Sequence, residues 1–264
     1  MLLSSIDQLG NKIQFSFPPK RIISLVPSQT ELLFDLGLDE EIVGVTRFCI
    51  HPKDQVKTKE KIGGTKRFDI EKTKSLQPDL IIANKEENYE EGITELQKYF
   101  PVWLSDIYNL DDAYAMMREV SRITNRELEG QKIIQEIKTN FSQLYTSNFG
   151  LQTCAYFIWR KPYMVVAKNT FIDSMLYVFG MKNVFEDLER YPEINPGLLT
   201  ERKPDFIFLS SEPYSFSEKH FDEFKEFSPS SKIILVDGEM FSWYGSRLKY
   251  SAKYFKELRI QLCG

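Results

Sequence analysis

Two stretches of this chain carry the same pattern: Leu76-Gln-Pro-Asp-Leu-Ile-Ile-Ala83 and Arg202-Lys-Pro-Asp-Phe-Ile-Phe-Leu209. Each closes a polar, helix-like segment, turns at Pro-Asp, and enters an apolar run suited to a strand buried on both faces. Each is followed by a shorter apolar run that stops at an aspartate, Val102-Trp-Leu-Ser-Asp106 in the first half and Ile233-Ile-Leu-Val-Asp237 in the second. The prolines stand 126 residues apart and the terminal aspartates 131. One α/β unit repeated at half the chain length predicts two similar lobes. A groove between lobes is a common ligand site.

The 264 residues suffice for two cores of ordinary domain size. With 42% hydrophobic and 27% charged residues, the composition is that of a folded globular protein rather than a disordered one. A net charge of −4 without a basic tail gives no reason to expect nucleic acid. Three scattered cysteines, Cys49, Cys154 and Cys263, form neither a disulfide framework nor a zinc spacing. The N-terminus lacks the basic region, apolar core and cleavage site of a secretory leader. As encoded, the chain reads as cytoplasmic; an exported chain already relieved of its leader, and so periplasmic, would read the same way.

Along the chain, Ile13–Phe17 alternates like an edge strand, Arg21–Val26 is a short buried strand, and Thr30–Gly37 a helix with Ser28 and Glu31 as a capping box. Strands follow at Ile42–Thr46 and 80–83, with a helix at 69–77. Asn109 opens a helix running to about Thr124. Asn125 begins a second helix to about Tyr145, with one internal glycine and no proline. The resulting division is an N-terminal α/β lobe at 1–124, a connecting helix at 125–146 and a C-terminal α/β lobe at 147–264. In the second lobe, strands at 153–158, 205–209 and 233–236 alternate with helices at 170–180, 197–203, 218–227 and 247–262. The fold class is α/β, two Rossmann-like lobes with mainly parallel sheets.

The stretch Lys20-Arg-Ile-Ile-Ser-Leu-Val-Pro-Ser-Gln-Thr-Glu-Leu-Leu-Phe-Asp-Leu-Gly37 resembles the opening of the cobalamin-binding and iron-siderophore-binding proteins of ABC importers. The likeness continues through Ile62-Gly-Gly64, Asn183-Val-Phe185, Tyr191-Pro192, Ser210-Ser-Glu-Pro213 and Val236-Asp-Gly238, with the cobalamin branch the nearer. It implies two lobes joined by one backbone helix, a non-catalytic clamp for a flat metal chelate, no intrinsic cofactor, a monomer, and an ABC permease as partner. Phe48 fills the place of a family aromatic, and Tyr191 that of a Trp. Glu239 and Arg247 match an acid–base pair before the last helix. Where near cobalamin binders often carry a Trp, this chain reads Thr65-Lys66-Arg67. One permease-docking glutamate corresponds to Glu71, whereas its second-lobe counterpart falls on Gly197.

The residues add candidates of their own. Cys49 and His51 flank one position of an extended loop, a spacing for a soft metal, yet two side chains make no metal site and none is assigned. Trp159, Arg160, Lys161 and Tyr163 follow the first strand of the second lobe, and aromatics beside cations suit a flat, anionic ligand. The expected ligand contacts are Phe48, Cys49, His51, Lys66, Arg67, Trp159, Arg160, Tyr163, Tyr191, Glu239, Trp243 and Arg247, with cobalamin or another metal chelate as ligand. Alternatives are a siderophore or haem receptor, or a cytoplasmic corrinoid- or metal-handling enzyme on this scaffold, for which Cys49 with His51 is the sole acid–base candidate. No Gly-x-Ser-x-Gly elbow or phosphate-binding P-loop is present.

Overall fold

The computed structural model describes residues 1–144 and 152–263, so the expected helix end at Tyr145 and the boundary at 146 and 147 lie outside the described residues. The chain divides into two compact units: Met1–Asp106, Asp111–Thr139 and Tyr244–Lys249 form the first, and Ile107–Leu110, Asn140–Trp243 and Tyr250–Gly264 the second.

The first unit opens with a hairpin, β1 (Leu2–Ile6) paired antiparallel to β2 (Lys12–Ser16). The alternation at 13–17 announces β2, whereas the Leu-Leu-Ser-Ser run of β1 has none. What makes the turn is Asp7, whose carboxylate accepts from the Leu9 N–H at 3.0 Å and the Asn11 N–H at 2.8 Å, a common aspartate role in turns. Next come β3 (Ile22–Ser24), α1 (Pro27–Asp35), β4 (Ile42–Val45), α2 (Lys53–Lys57), β5 (Glu60–Lys61), α3 (Ile70–Ser75), β6 (Leu80–Asn84), α4 (Glu90–Gln97), β7 (Val102–Ser105), α5 (Leu110–Ile123) and α6 (Glu127–Ser142). The five strands β3–β7 form one parallel sheet in the order β5-β4-β3-β6-β7. Helix α5 buries Ala113, Met116, Met117 and Val120, the one-sided spacing of a helix laid against a core. The boundary between units falls inside α6, after Thr139.

The second unit contains β8 (Gln152–Trp159), β9 (Met164–Val165), α7 (Phe171–Phe179), β10 (Met181–Asn183), α8 (Pro196–Arg202), β11 (Phe206–Ser210), a 3-10 turn (Glu218–His220), α9 (Phe221–Phe227), β12 (Lys232–Val236), α10 (Gly238–Ser242) and α11 (Leu248–Cys263). Its parallel strands run β10-β8-β11-β12, with β9 antiparallel against β8. Alternate side chains feed two layers. Ala155, Phe157, Ile207 and Leu209 pack with Leu199 and Phe224 on one face. Behind them Phe179, Phe208, Phe241 and Phe255 form an aromatic core, with Phe241 and Phe255 centroids 4.7 Å apart, within the range of favourable ring pairs.

Aligning β3, β4, β6 and β7 with β8, β10, β11 and β12 gives one strand order for both sheets, which is the repeat seen in the sequence. The Pro-Asp step has the same geometry in each. Helices α3 and α8 give way to residues with left-handed backbone, Gln77 (φ 45°) and Lys203 (φ 47°), and the following proline cannot continue a helix. The aspartate then ties its strand to the start of the neighbouring one. Asp79 accepts from the Lys20 N–H at 2.7 Å and the Arg21 N–H at 2.9 Å. Asp205 accepts from the N–H and hydroxyl of Thr153, both at 2.8 Å.

Replacing that carboxylate leaves exposed N–H donors to water, so Asp79→Ala is expected to cost about 1–2 kcal/mol in urea unfolding. An unchanged midpoint would remove the aspartate from the account of strand register.

Candidate functional site

Loops at the carboxyl ends of parallel strands are where α/β units place ligands. In the first unit these loops hang on a buried polar web. Asn84, ending β6, donates to the Ser105 hydroxyl at 3.0 Å and accepts from the Glu86 N–H at 2.8 Å and the Glu87 N–H at 2.9 Å. Asn88 donates to the carbonyls of Leu25 at 3.2 Å and Thr65 at 3.0 Å, pinning the turn after Gly64 to the end of β3. Gln29 donates to the Ser105 hydroxyl at 2.5 Å.

The loop after β4 carries Arg47 and Phe48. The Arg47 N–H donates to the Gly63 carbonyl at 2.7 Å, and its guanidinium lies 4.9 Å from the Phe48 ring centroid, close enough for a cation–π contact. Phe48 remains 49% exposed. Gly64 is the floor of this pair. A β-carbon there would stand 3.1 Å from the Phe48 ring and 3.6 Å from two guanidinium nitrogens. Gly63 has φ +103°, and a β-carbon would meet the Arg67 carbonyl at 2.6 Å, so the Gly63-Gly64 step is demanded by backbone geometry. Lys66 and Arg67 are exposed on the same turn, and the Lys66 ammonium donates to the Glu86 carbonyl.

Cys49 lies one residue beyond Phe48 but faces the opposite way. It is 2% exposed, with its thiol 3.1 Å from the Thr30 hydroxyl and 3.2 Å from that of Thr46. Burial pushes the thiol pKa up against those hydrogen bonds, so it holds no ready thiolate for metal or nucleophilic work. Cys49 is a packing residue here, and the Cys49–His51 acid–base pair that an enzyme would need does not form around a reactive thiol. His51 is half-buried at the entry to α2.

Arg247 is likewise committed within the first unit. It forms a two-pronged ion pair with Glu31 at 2.8 Å and 2.7 Å, and both residues are 8% exposed. Such bidentate, charge-assisted pairs are the strong ones. The capping box expected from Ser28 and Glu31 is therefore replaced. Helix α1 starts at Pro27 with no side-chain cap at Val26, and Glu31 turns to Arg247 instead. Tyr244 donates to Glu87 at 2.6 Å, Lys249 pairs with Asp35 at 2.9 Å, and a β-carbon on Gly245 would lie 2.4 Å from the Ser28 carbonyl. Segment 244–249 is sewn onto α1 and the β6 loop.

In the second unit, Trp159 ends β8 at 39% exposure with its ring edge-on to Tyr214, centroids 5.7 Å apart. Arg160 and Tyr163 both close on Glu223, the guanidinium at 2.7 Å and the phenol donating to the carboxylate. Burial and Glu223 push the Tyr163 phenol up to about 12, while the donations from Arg160 and Tyr163 outweigh burial and hold the Glu223 carboxyl below the usual range. Tyr191 is half-buried in a segment held by bonds from Ala167 to Arg190 and from Val165 to Pro192. Glu239 is the second residue of α10, and Trp243 is buried, donating its indole N–H to Glu212 at 3.0 Å.

Glu212 lies in the Ser210-Ser-Glu-Pro213 motif, and nothing in the sequence gives it a role. Burial raises its carboxyl pKa, opposed by donation from Ser242 and assisted by the like charge of Glu239. Glu223, Glu31 and Glu87 are equally hidden from a sequence reading, because each pairs with a residue distant in the chain. Glu71 stands at the second position of α3, exposed and 3.0 Å from the Lys74 ammonium. Its topological equivalent, the second position of α8, is Gly197, capped by Asn195.

Two parallel α/β sheets of one topology, each with aromatic and cationic side chains on its strand-end loops, set the class of fold. Comparison with known proteins makes the class specific: residues 22–228 match the family described as periplasmic binding protein, and the chain belongs to that family. It is a substrate-binding protein of the kind that serves ABC importers. A vitamin B12-binding protein of Vibrio cholerae serotype O1 is 28% identical over 198 residues, 74% of this chain and 71% of the relative. A crystal structure described as a possible iron-binding, periplasmic solute-binding protein from Staphylococcus epidermidis is 26% identical, with a TM-score of 0.78 over 94% of this chain and 100% of that one. The periplasmic haem-binding protein of Roseiflexus, 20% identical over 91% of this chain and 97% of that chain, shares the fold at a TM-score of 0.79.

Removing one partner of the buried pair strands the other charge, so Arg247→Ala is expected to cost about 3–5 kcal/mol in urea unfolding, with Glu31→Gln in the same background recovering part of it. For Glu212 the sign is opposite to that of a paired carboxylate. A raised folded-state pKa means the ionised form is disfavoured by folding, so its cost is absent below the unfolded value and grows as pH rises through the folded one. Glu212→Gln is therefore expected to raise the melting temperature at pH 7.5 and to leave it near wild type at pH 4. A gain of equal size at both pH values would contradict this.

Proposed function

We propose that the ligand is a corrinoid, taken without turnover by the strand-end loops, and that the protein delivers it to an ABC permease. The observation that carries this reading is that each unit leaves a large aromatic part-exposed at the carboxyl ends of its parallel strands, Phe48 after β4 in the first and Trp159 at the end of β8 in the second. Exposed rings of this size suit the faces of a flat macrocycle. The vitamin B12-binding relative supports the choice of macrocycle. Of the expected contacts, Phe48, Lys66, Arg67, Trp159 and Tyr191 stay in the ligand set, with His51 and Glu239 beside them. Arg160 and Tyr163 act through Glu223 to hold the Trp159 loop, and Cys49, Trp243 and Arg247 belong to the packing beneath. Glu71 is the permease contact of the first unit, and Gly197 leaves the second without its counterpart.

A siderophore or haem is the second reading, favoured by the exposed cations Lys66 and Arg67. Titration with cobalamin, cobinamide, ferric siderophores and haem by calorimetry separates the two. Corrinoid binding with an unchanged absorption spectrum after dissociation, and a loss of roughly tenfold or more for Phe48→Ala and for Trp159→Ala, is the expected result. Binding of haem or a ferric siderophore with no corrinoid response would replace the first reading by the second.

A further inference from the structure

The cations of the first unit's rim are spent unequally. Arg247 is closed on Glu31 and Lys249 on Asp35. Elsewhere Lys59, Lys72, Lys74, Lys85 and Arg122 each have a carboxylate partner. Arg47, Lys66 and Arg67 have none among the described residues, and all three are exposed on two loops that the Gly63 carbonyl and the Arg47 N–H lock together. The Arg47 guanidinium lies 4.9 Å from the Phe48 ring centroid, and both groups occupy the space that a side chain at position 64 would fill, so the ring and the bare glycine hold it in place without neutralising it. Beneath, Asn88 holds the Thr65 carbonyl, and the Lys66 ammonium reaches only a carbonyl, that of Glu86.

A planar guanidinium beside further cations, preorganised and uncompensated in an acidic protein, is a receptor for an oxyanion. A stacked aromatic at its edge places that oxyanion on the periphery of a ring-shaped ligand. We propose that Arg47, with Arg67 and Lys66, forms a subsite for the phosphodiester of a complete corrinoid, so that the protein selects corrinoids carrying their nucleotide loop over those without it. This inference rests on the corrinoid reading and deepens it. The rim of the corrin ring bears neutral amides, and the phosphodiester of the nucleotide loop is the oxyanion that cobalamin has and cobinamide lacks. The subsite takes the place in the turn after Gly64 where the family often offers a stacking Trp, exchanging a stacking contact for a charged one.

The test is a calorimetric comparison of cobalamin and cobinamide with the full chain, wild type and the variants Arg47→Gln, Arg67→Gln and Lys66→Gln, each checked for an unchanged urea midpoint. The inference expects cobalamin to bind at least tenfold more tightly than cobinamide, and that ratio to narrow several-fold in Arg47→Gln and Arg67→Gln. It also expects added salt to weaken cobalamin binding more than cobinamide binding. Equal affinities in the wild type, or a ratio untouched by all three variants, would overturn the subsite while the corrinoid reading stood. Failure of both corrinoids to bind would remove the reading and the subsite together. Should one arginine variant unfold, the other and Lys66→Gln still decide the ratio.

Discussion

Everything in each sheet starts from a carboxylate that stitches two parallel strands together at their beginnings. Parallel neighbours cannot be joined by a tight turn, so their register is not set by a hairpin. Here Asp79 gathers the backbone of Lys20 and Arg21, and Asp205 gathers Thr153. The left-handed residue and proline before each aspartate stop the preceding helix and aim the chain into the sheet. Once the starts are level, five-residue strands buried throughout carry the chain to the opposite edge, where the loops can be irregular because the sheet beneath them is not.

Electrostatics at that edge sorts the candidates more sharply than residue type does. Arginines at 160 and 247 look alike in the sequence to one at 47, since all follow strands or precede helices on the same edges. In the folded units the first two are consumed by Glu223 and Glu31, whose charges they neutralise. Arg47 instead rests on an aromatic ring, which orients it and leaves its charge available. The same distinction separates Trp243, whose indole satisfies Glu212 in the interior, from Trp159, whose ring edge meets Tyr214 and stays half in solvent.

The repeat, the parallel sheets and nearly every long element are legible in the sequence because they are local patterns: apolar runs, glycine stops and Pro-Asp steps. The strands expected at 80–83, 153–158, 205–209 and 233–236 coincide with β6, β8, β11 and β12 to within a residue. Elements without such a pattern are not legible. Strands β1, β5, β9 and β10 and helices α2 and α10 carry no apolar run or stop signal of their own and are held by their surroundings. Pairings across long separations are equally hidden. Glu31 and Arg247 are 216 residues apart, so Glu31 reads locally as a capping residue until its partner is in view. Cys49 misleads for a related reason: an extended loop alternates its side chains, and the neighbour of an exposed Phe48 points inward.

The stitching of segment 244–249 onto α1 has a consequence for how the chain is made. Sequences emerge from the ribosome N-terminus first, and domains ordinarily close as soon as their residues are out. The first unit cannot do so. Its Glu31 waits for Arg247, its Glu87 for Tyr244 and its Asp35 for Lys249, all of them encoded after residue 243. Most of the second unit is therefore synthesised while the first stands incomplete, holding an unanswered acid in its wall until segment 244–249 has emerged.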